Sequence, residues 1–180
     1  VLWEGLDQFA TTVRLGGGPD ELYAYGKPQV RGTYALGRDD DTLHVKPGGT
    51  SSDLLPGVHV KVDLVAGRLD YGSAASATTI SGVEDVTVAG TKVRVLGDRL
   101  ANAITVDGCD AWVRAGGGAD DVSVVVAPYF GAAVCAHASR VEGGPGSDEL
   151  VGANKSADLL LGGRGRDFAD GNAGIDTCRA

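Results

Sequence analysis

Apolar and polar residues alternate one for one in several short stretches of this chain. Val58, Val60, Val62 and Leu64 interleave with His59, Lys61 and Asp63, which is the two-residue period of a strand with one buried face. Val93 and Val95 interleave with Lys92 and Arg94 in the same way, and Ile104-Thr105-Val106 and Val122 through Val126 are further short runs rich in β-branched residues. Between them lie Gly16-Gly17-Gly18, Pro47-Gly48-Gly49, Gly97-Asp98, Gly116-Gly117-Gly118, Gly143-Gly144-Pro145-Gly146 and Gly162-Gly163, the residue types of tight turns. No helical period of useful length interrupts them. The segment Val83-Glu84-Asp85-Val86 reads as the entry to a strand running through Val88. The pattern predicts an all-β chain of many short strands.

The turns repeat. Leu15 to Leu22, Leu36 to Leu43 and Ala115 to Val122 share one arrangement: a Gly, an Asp four residues later (Asp20, Asp41, Asp120), and an aliphatic residue two further on. A weaker version runs from Leu96 through Gly97 to Asn102 and Ile104. Toward the C-terminus the period tightens, with Asp148, Asp158, Asp167 and Asp176 spaced 10, 9 and 9. If nine residues make one strand and one turn, eighteen make a coil with turns on two edges. Asp148 then stacks near Asp167, and Asp158 near Asp176, one strand spacing apart. This predicts a single domain over 1–180, a right-handed parallel β-solenoid. Residues 1–135 would form longer, degenerate coils, and 136–180 a tighter β-roll.

Composition sharpens the chemistry. Gly makes up 29 of 180 residues, about twice its usual share of roughly 7%. Acids outnumber Lys and Arg by 24 to 16, and 19 of the acids are Asp. A short carboxylate held in a turn is the ligand a hard cation needs, because calcium takes carboxylate and carbonyl oxygens together. Stacked carboxylates would otherwise repel one another, and a cation between them removes that repulsion. For Asp20, Asp41 and Asp120, which lack a matched neighbour at 18 residues, turn capping through backbone N–H groups is the expected role.

Gly143-Gly-Pro-Gly-Ser-Asp148-Glu-Leu150-Val151 fills every defined position of G-G-x-G-x-D-x-U-x, and Gly162-Gly-Arg-Gly-Arg-Asp167-Phe-Ala169-Asp170 follows it with Ala at the aliphatic place. These segments resemble the RTX, or hemolysin-type, calcium-binding repeat. The resemblance implies a β-roll in which the first six residues of each nonapeptide wrap Ca2+. Carried over, the metal residues are Gly143, Gly144, Gly146 and Asp148; Gly162, Gly163, Gly165 and Asp167; and Asp158, Gly174 and Asp176 in two further repeats. Ala153-Asn-Lys-Ser-Ala-Asp158 lacks the three glycines, and Gly171-Asn-Ala-Gly174-Ile-Asp176 lacks the second. The phrase Gly82-Val-Glu-Asp-Val-Thr-Val, followed by Leu96-Gly-Asp and Asn102, is similar to the degenerate coils that precede such repeats.

Several function classes are disfavoured. A net charge of −8 argues against nucleic acid, where a basic stripe is expected. No apolar run reaches the roughly 18 residues of a membrane span. The acids Asp39-Asp40-Asp41 lack an accompanying Arg, Tyr and His constellation, so no catalytic residue is assigned and the chain does not read as an enzyme. His44, His59 and His137 are scattered and offer no zinc site, and no Cys-x-x-Cys occurs. Trp3 reads as a plug for an open end and Trp112 as a packed edge residue.

The expected function is that of a secreted, calcium-binding, non-catalytic structural or interaction module, cell-surface or extracellular. The alternatives are a carbohydrate-binding or carbohydrate-acting solenoid and a self-stacking filament subunit, since solenoid ends expose unpaired strand edges. The three cysteines suit an oxidising compartment. Cys109–Cys135 is the favoured disulfide, which leaves Cys178 free, and Cys135–Cys178 is the competing pair.

Overall fold

The computed structural model describes residues 11–26, 32–47, 59–71, 77–126, 139–154 and 157–180. These residues carry fifteen strands and no helix. In chain order they are β1 (Thr11–Arg14), β2 (Glu21–Gly26), β3 (Gly32–Ala35), β4 (Thr42–Pro47), β5 (His59–Asp63), β6 (Arg68–Tyr71), β7 (Thr78–Ser81) and β8 (Asp85–Leu96). They continue with β9 (Ala103–Arg114), β10 (Asp121–Val125), β11 (Arg140–Gly146), β12 (Glu149–Val151), β13 (Leu159–Gly165), β14 (Phe168–Asp170) and β15 (Thr177–Arg179). The chain is therefore all-β, and its strands form one mixed sheet.

Two runs of pairing share the long strands β8 and β9. One run passes β2, β4, the first halves of β8 and β9, β10, β12 and β14, with parallel pairs throughout. The other passes β5, the second halves of β8 and β9, β11, β13 and β15, also in parallel. In-register partners lie 18 residues apart between β8 and β9, as in Val86 with Ile104. They lie 28 apart between β10 and β12, as in Val122 with Leu150, and 19 apart between β11 and β13, as in Val141 with Leu160.

Alternation becomes burial through this register. Leu22, Leu43, Val86, Ile104, Val122 and Leu150 are cross-strand partners in succession, and all are buried. Val62, Val95, Val113, Val141 and Leu160 make a second such column. Burying a Val or Leu side chain is worth about 1.5–3 kcal/mol, so these columns supply the driving force for strand pairing. They fade at the C-terminal end. Ala169 follows Leu150 in register, and the exposed Cys178 follows Leu160.

The pairing is not parallel throughout. β5 turns back into β6, and β6 pairs antiparallel with β7 as well. The reversal occurs at Leu64–Gly67, where Gly67 adopts φ +61° and the Asp63 carboxylate accepts the Ala66 N–H at 2.9 Å. A Cβ on Gly67 would sit 2.7 Å from the Ile80 carbonyl oxygen, so the turn needs glycine both for its dihedral and for its space. Within β6, Arg68 pairs with Asp70, their atoms 2.9 Å apart.

Candidate functional site

The Gly/Asp turns stack along one edge of the first pairing run. Each aspartate follows its turn and precedes a strand, so its side chain points back beneath the turn rather than out to water. Asp41, Asp120, Asp148 and Asp158 are all buried. The carboxylates of Asp41 and Asp120 accept backbone N–H groups, the capping expected of them, but from a neighbouring turn rather than their own. They bond to the backbone of the preceding turn in the stack.

The bonds form a ladder. Asp41 Oδ1 accepts the Asp20 N–H at 2.8 Å, and Glu84 Oε2 accepts the Asp41 N–H at 3.0 Å. Asp120 Oδ1 accepts the Asn102 N–H at 2.9 Å, Asp148 Oδ1 that of Asp120 at 3.0 Å, and Asp167 Oδ1 that of Asp148 at 3.1 Å. A parallel ladder joins Ser139 to Asp158 at 3.0 Å and Asp158 to Asp176 at 2.9 Å. The stacking of Asp148 with Asp167 and of Asp158 with Asp176 is thus as the spacing predicts. Asp120 departs from expectation. It has a neighbour, but one 28 residues on rather than 18.

The rungs differ in their second oxygen. Asp41, Asp120 and Asp148 each have an Oδ2 that is buried and accepts no hydrogen bond. Asp158 does not, because its Oδ2 accepts the Ala153 N–H at 2.8 Å. Asn102 is also satisfied: its Oδ1 accepts the Asp98 N–H at 3.1 Å, and its Nδ2 donates to the Glu84 carbonyl at 2.8 Å. A buried acceptor without a partner costs about 1–3 kcal/mol. The three orphaned oxygens are therefore the unresolved polar groups of the ladder.

Glycine makes room for them. A Cβ on Gly143 would collide with Asp148 Oδ2, and one on Gly162 would lie 2.6 Å from Asp167 Oδ2. The Gly five residues before the Asp leaves the volume the carboxylate fills. Gly144 and Gly163 hold φ of +122° and +121°, and a Cβ on Gly163 would lie 2.1 Å from the Gly144 carbonyl oxygen. Gly144 with Gly163 and Gly146 with Gly165 are in-register partners of β11 and β13. Gly174 and Asp176 lie in the turn before β15, Gly174 exposed and Asp176 half-buried.

The turn carbonyls are not all free. Those of Gly143 and Pro145 accept the amides of Gly116 and Gly118 at 3.0 and 3.1 Å. The chain continues its strand ladder through the glycines, so each such carbonyl keeps only its second lone pair for another partner. Among the described residues no three His, Cys, Asp or Glu side chains converge as a group that could hold a metal.

Charge accumulates along the ladder. Burial is the main cause that pushes the Asp120 carboxyl up to about 6, with the Asp148 and Asp98 charges adding and the Asn102 amide pulling it back. Asp148 is raised as well, first by burial and then by Asp167, against the pull of the Asp120 amide. Outside the ladder, on the same edge, an open hollow of about 430 Å³ runs past Asp120, Asp148 and Asp167 and is flanked by Asp121, Glu149 and Phe168.

Of the remaining assignments, His44 stacks on Tyr23 with ring centroids 4.2 Å apart, and His59 is exposed. Trp112 is not at a sheet edge but near the end of β9, between β8 and β11, with Arg94 over its ring. Cys109 is disulfide-bonded and Cys178 is free, which removes the Cys135–Cys178 pairing. Cys135, Trp3 and His137 lie outside the described residues. No described helix is long and apolar enough to cross a membrane. Comparison of the chain with protein-family models, with curated proteins and with solved structures gives no match.

Proposed function

We propose that the chain is a right-handed parallel β-solenoid whose Gly/Asp turns at 143–176 bind calcium. On this reading it serves outside the cell as a non-catalytic structural or interaction module. The observation that carries the reading is the orphaned Oδ2 of Asp148, buried inside a turn that matches the RTX nonapeptide at every defined position. A hard cation is the partner such an oxygen lacks, and the donors around it are of the right kind: carboxylates, and carbonyls with a lone pair to spare.

Asp148 and Asp167 would hold the ion, with backbone oxygens from Gly143, Gly144 and Gly146 and from Gly162, Gly163 and Gly165. Bound there, calcium would supply two positive charges to a stack of buried carboxylates and so tie adjacent turns together. Asp158, with both oxygens already accepting amides, is the weaker ligand, and its edge with Gly174 and Asp176 would fill after the first. The stacked rungs themselves position the oxygens. The carboxylates of Asp148 and Asp167 are each oriented by one backbone N–H, which leaves the other oxygen directed into the turn.

Calcium titration followed by calorimetry and circular dichroism tests the reading. The expected outcome is binding at about 10⁻⁴–10⁻³ M, the range of extracellular modules, with added β-structure on binding and loss of 143–176 in chelator. No heat of binding, together with a spectrum unchanged between chelator and millimolar calcium, would overturn it.

A further inference from the structure

Outward-facing charges are biased by sign between the two pairing runs, although Lys46 stands on the first and Asp110 and Glu142 on the second. Along the run that begins with β2, outward positions include Glu21, Asp85, Asp107, Asp121, Glu149 and Asp170. On the other run, β5, the second halves of β8 and β9, and the start of β11 carry Lys61, Lys92, Arg94, Arg114 and Arg140 around Trp112. A chain of net charge −8 thus concentrates five of its cations on four adjacent strands.

Their pairing leaves charge over. Arg94, Trp112 and Arg140 are cross-strand partners in one row. The Arg94 guanidinium lies 4.0 Å from the centre of the Trp112 ring and that of Arg114 lies 4.7 Å from it. Arg114 and Arg140 share one carboxylate, Glu142, at 2.9 and 2.6 Å. Lys92 reaches Asp110 only at 4.0 Å, and Lys61 is taken by Asp63 at 3.0 Å. No described carboxylate pairs with Arg94. Two guanidiniums therefore cover the indole, Arg140 is its cross-strand neighbour, and of the three only Arg114 and Arg140 have an anion, the shared Glu142.

We propose that this face, centred on Arg94, Trp112, Arg114 and Arg140, binds an acidic polysaccharide through its carboxylate or sulfate groups. Stacking on the indole holds a guanidinium flat, with its N–H edge pre-ordered for an anionic group. The rows of cations repeat at the strand spacing of about 4.8 Å, so an extended chain with regularly placed acids meets one row after another. Thr33, Thr79 and Ser81 extend the same run outward on β3 and β7, where they offer hydroxyl partners to a sugar. Single-stranded nucleic acid fits less well, because stacking of bases needs an open aromatic face and guanidiniums cover Trp112. The face lies outside the calcium turns, and the proposal does not rest on them.

The test is affinity electrophoresis and calorimetry of the whole chain in millimolar calcium, with hyaluronate, dextran sulfate and neutral dextran as probes. Expected is salt-sensitive binding to one or both anionic polymers and none to neutral dextran. Arg94→Gln should weaken it about tenfold, the loss of one charge-assisted contact, while Arg94→Lys loses less and Arg99→Gln, in a turn away from the face, loses nothing. Binding of hyaluronate alone assigns carboxylate as the group recognised, and of dextran sulfate alone assigns sulfate. The proposal is overturned by no binding to either polymer, by equal binding of neutral dextran, or by an Arg94→Gln variant that melts and binds like the parent. It is also overturned if a single-stranded oligonucleotide binds more tightly, or if the cations prove to serve self-association, seen as oligomers lost in Arg94→Gln.

Discussion

Asn102 and Asp148 stand on the same ladder of turns, two rungs apart, and settle a buried polar side chain in different ways. Asn102 uses its oxygen for the Asp98 amide and its nitrogen for the Glu84 carbonyl, so it is complete within the protein. Asp148 uses one oxygen for the Asp120 amide and leaves the other without a partner. The amide belongs to a coil flanked by the full-length strands β8 and β9 and their columns of Val and Ile. The carboxylate belongs to the short coils β11 to β15, where the columns run out into Ala169 and Cys178. The turn at Asn102 is closed by neutral hydrogen bonds, whereas the turn at Asp148, like those at Asp41 and Asp120, keeps one carboxylate oxygen without a partner.

The largest effect expected on the Asn102 side of this comparison comes from the disulfide. Cys109 lies in β9, and closing a loop of the size that separates it from Cys135 is worth about 3 kcal/mol. Reduction and alkylation should lower the unfolding free energy by about that amount while the calcium isotherm keeps its midpoint. Thiol titration of the native oxidised chain should find one reactive group, Cys178. A calcium affinity that collapses on reduction would show the two regions to be one cooperative unit.

Next in its effect on folding is Asn102→Asp, which gives that turn the chemistry of the Asp148 turn. It removes the donation to the Glu84 carbonyl and places a charge beside Asp120. Leaving that partly buried carbonyl unpaired costs about 1 kcal/mol, to be read from chemical denaturation in chelator. A variant as stable as the parent would show that the ladder tolerates either side chain, and the contrast would lose its force.

The reverse exchange, Asp148→Asn, should act on binding more than on folding. It keeps the oxygen that accepts the Asp120 amide and removes the charge, so the apo chain should melt no lower than the parent. Calcium affinity should fall about tenfold, roughly 1.4 kcal/mol, in the calorimetric titration. An unchanged affinity would place the ion elsewhere.

Much of this arrangement is legible in the residues. The alternation around Val60 and Val93 marks strands because a half-buried sheet has a period of two, and the 19- and 18-residue spacings of Asp148 with Asp167 and Asp158 with Asp176 recur as backbone-to-carboxylate bonds. The neighbour of Asp120 is hidden because ten additional residues separate it from Asp148 relative to an 18-residue coil, and a fixed period cannot see across them. The β5–β6 reversal is hidden because Leu64, Val65 and Ala66 are apolar letters in a turn, with only Asp63 and Gly67 to mark it. The setting of Trp112 depends on which side chains face it across β8 and β11, and register between strands is not written in either strand alone.

The smallest effect, and the most diagnostic, is that of pH on the two ends of the ladder. The Asp120 carboxyl is pushed up to about 6 from about 3.9 in an unfolded chain, and Asp148 and Glu84 are shifted in the same direction, chiefly by burial. Between those values the folded chain binds more protons than the unfolded one, so stability falls as pH rises from about 4 to about 6. In chelator the melting temperature should therefore be higher at pH 5 than at pH 7, and Asp120→Asn should flatten that slope. Calcium should reverse its sign. The ion requires ionised carboxylates, so protons compete with it, and acidification from pH 7 to pH 5 should then lower the melting temperature of the Asp148 coils. Melting curves at the two pH values, with and without calcium, give four temperatures. If the two pH slopes share one sign, the raised carboxyls of the ladder and the calcium ligands are not the same groups.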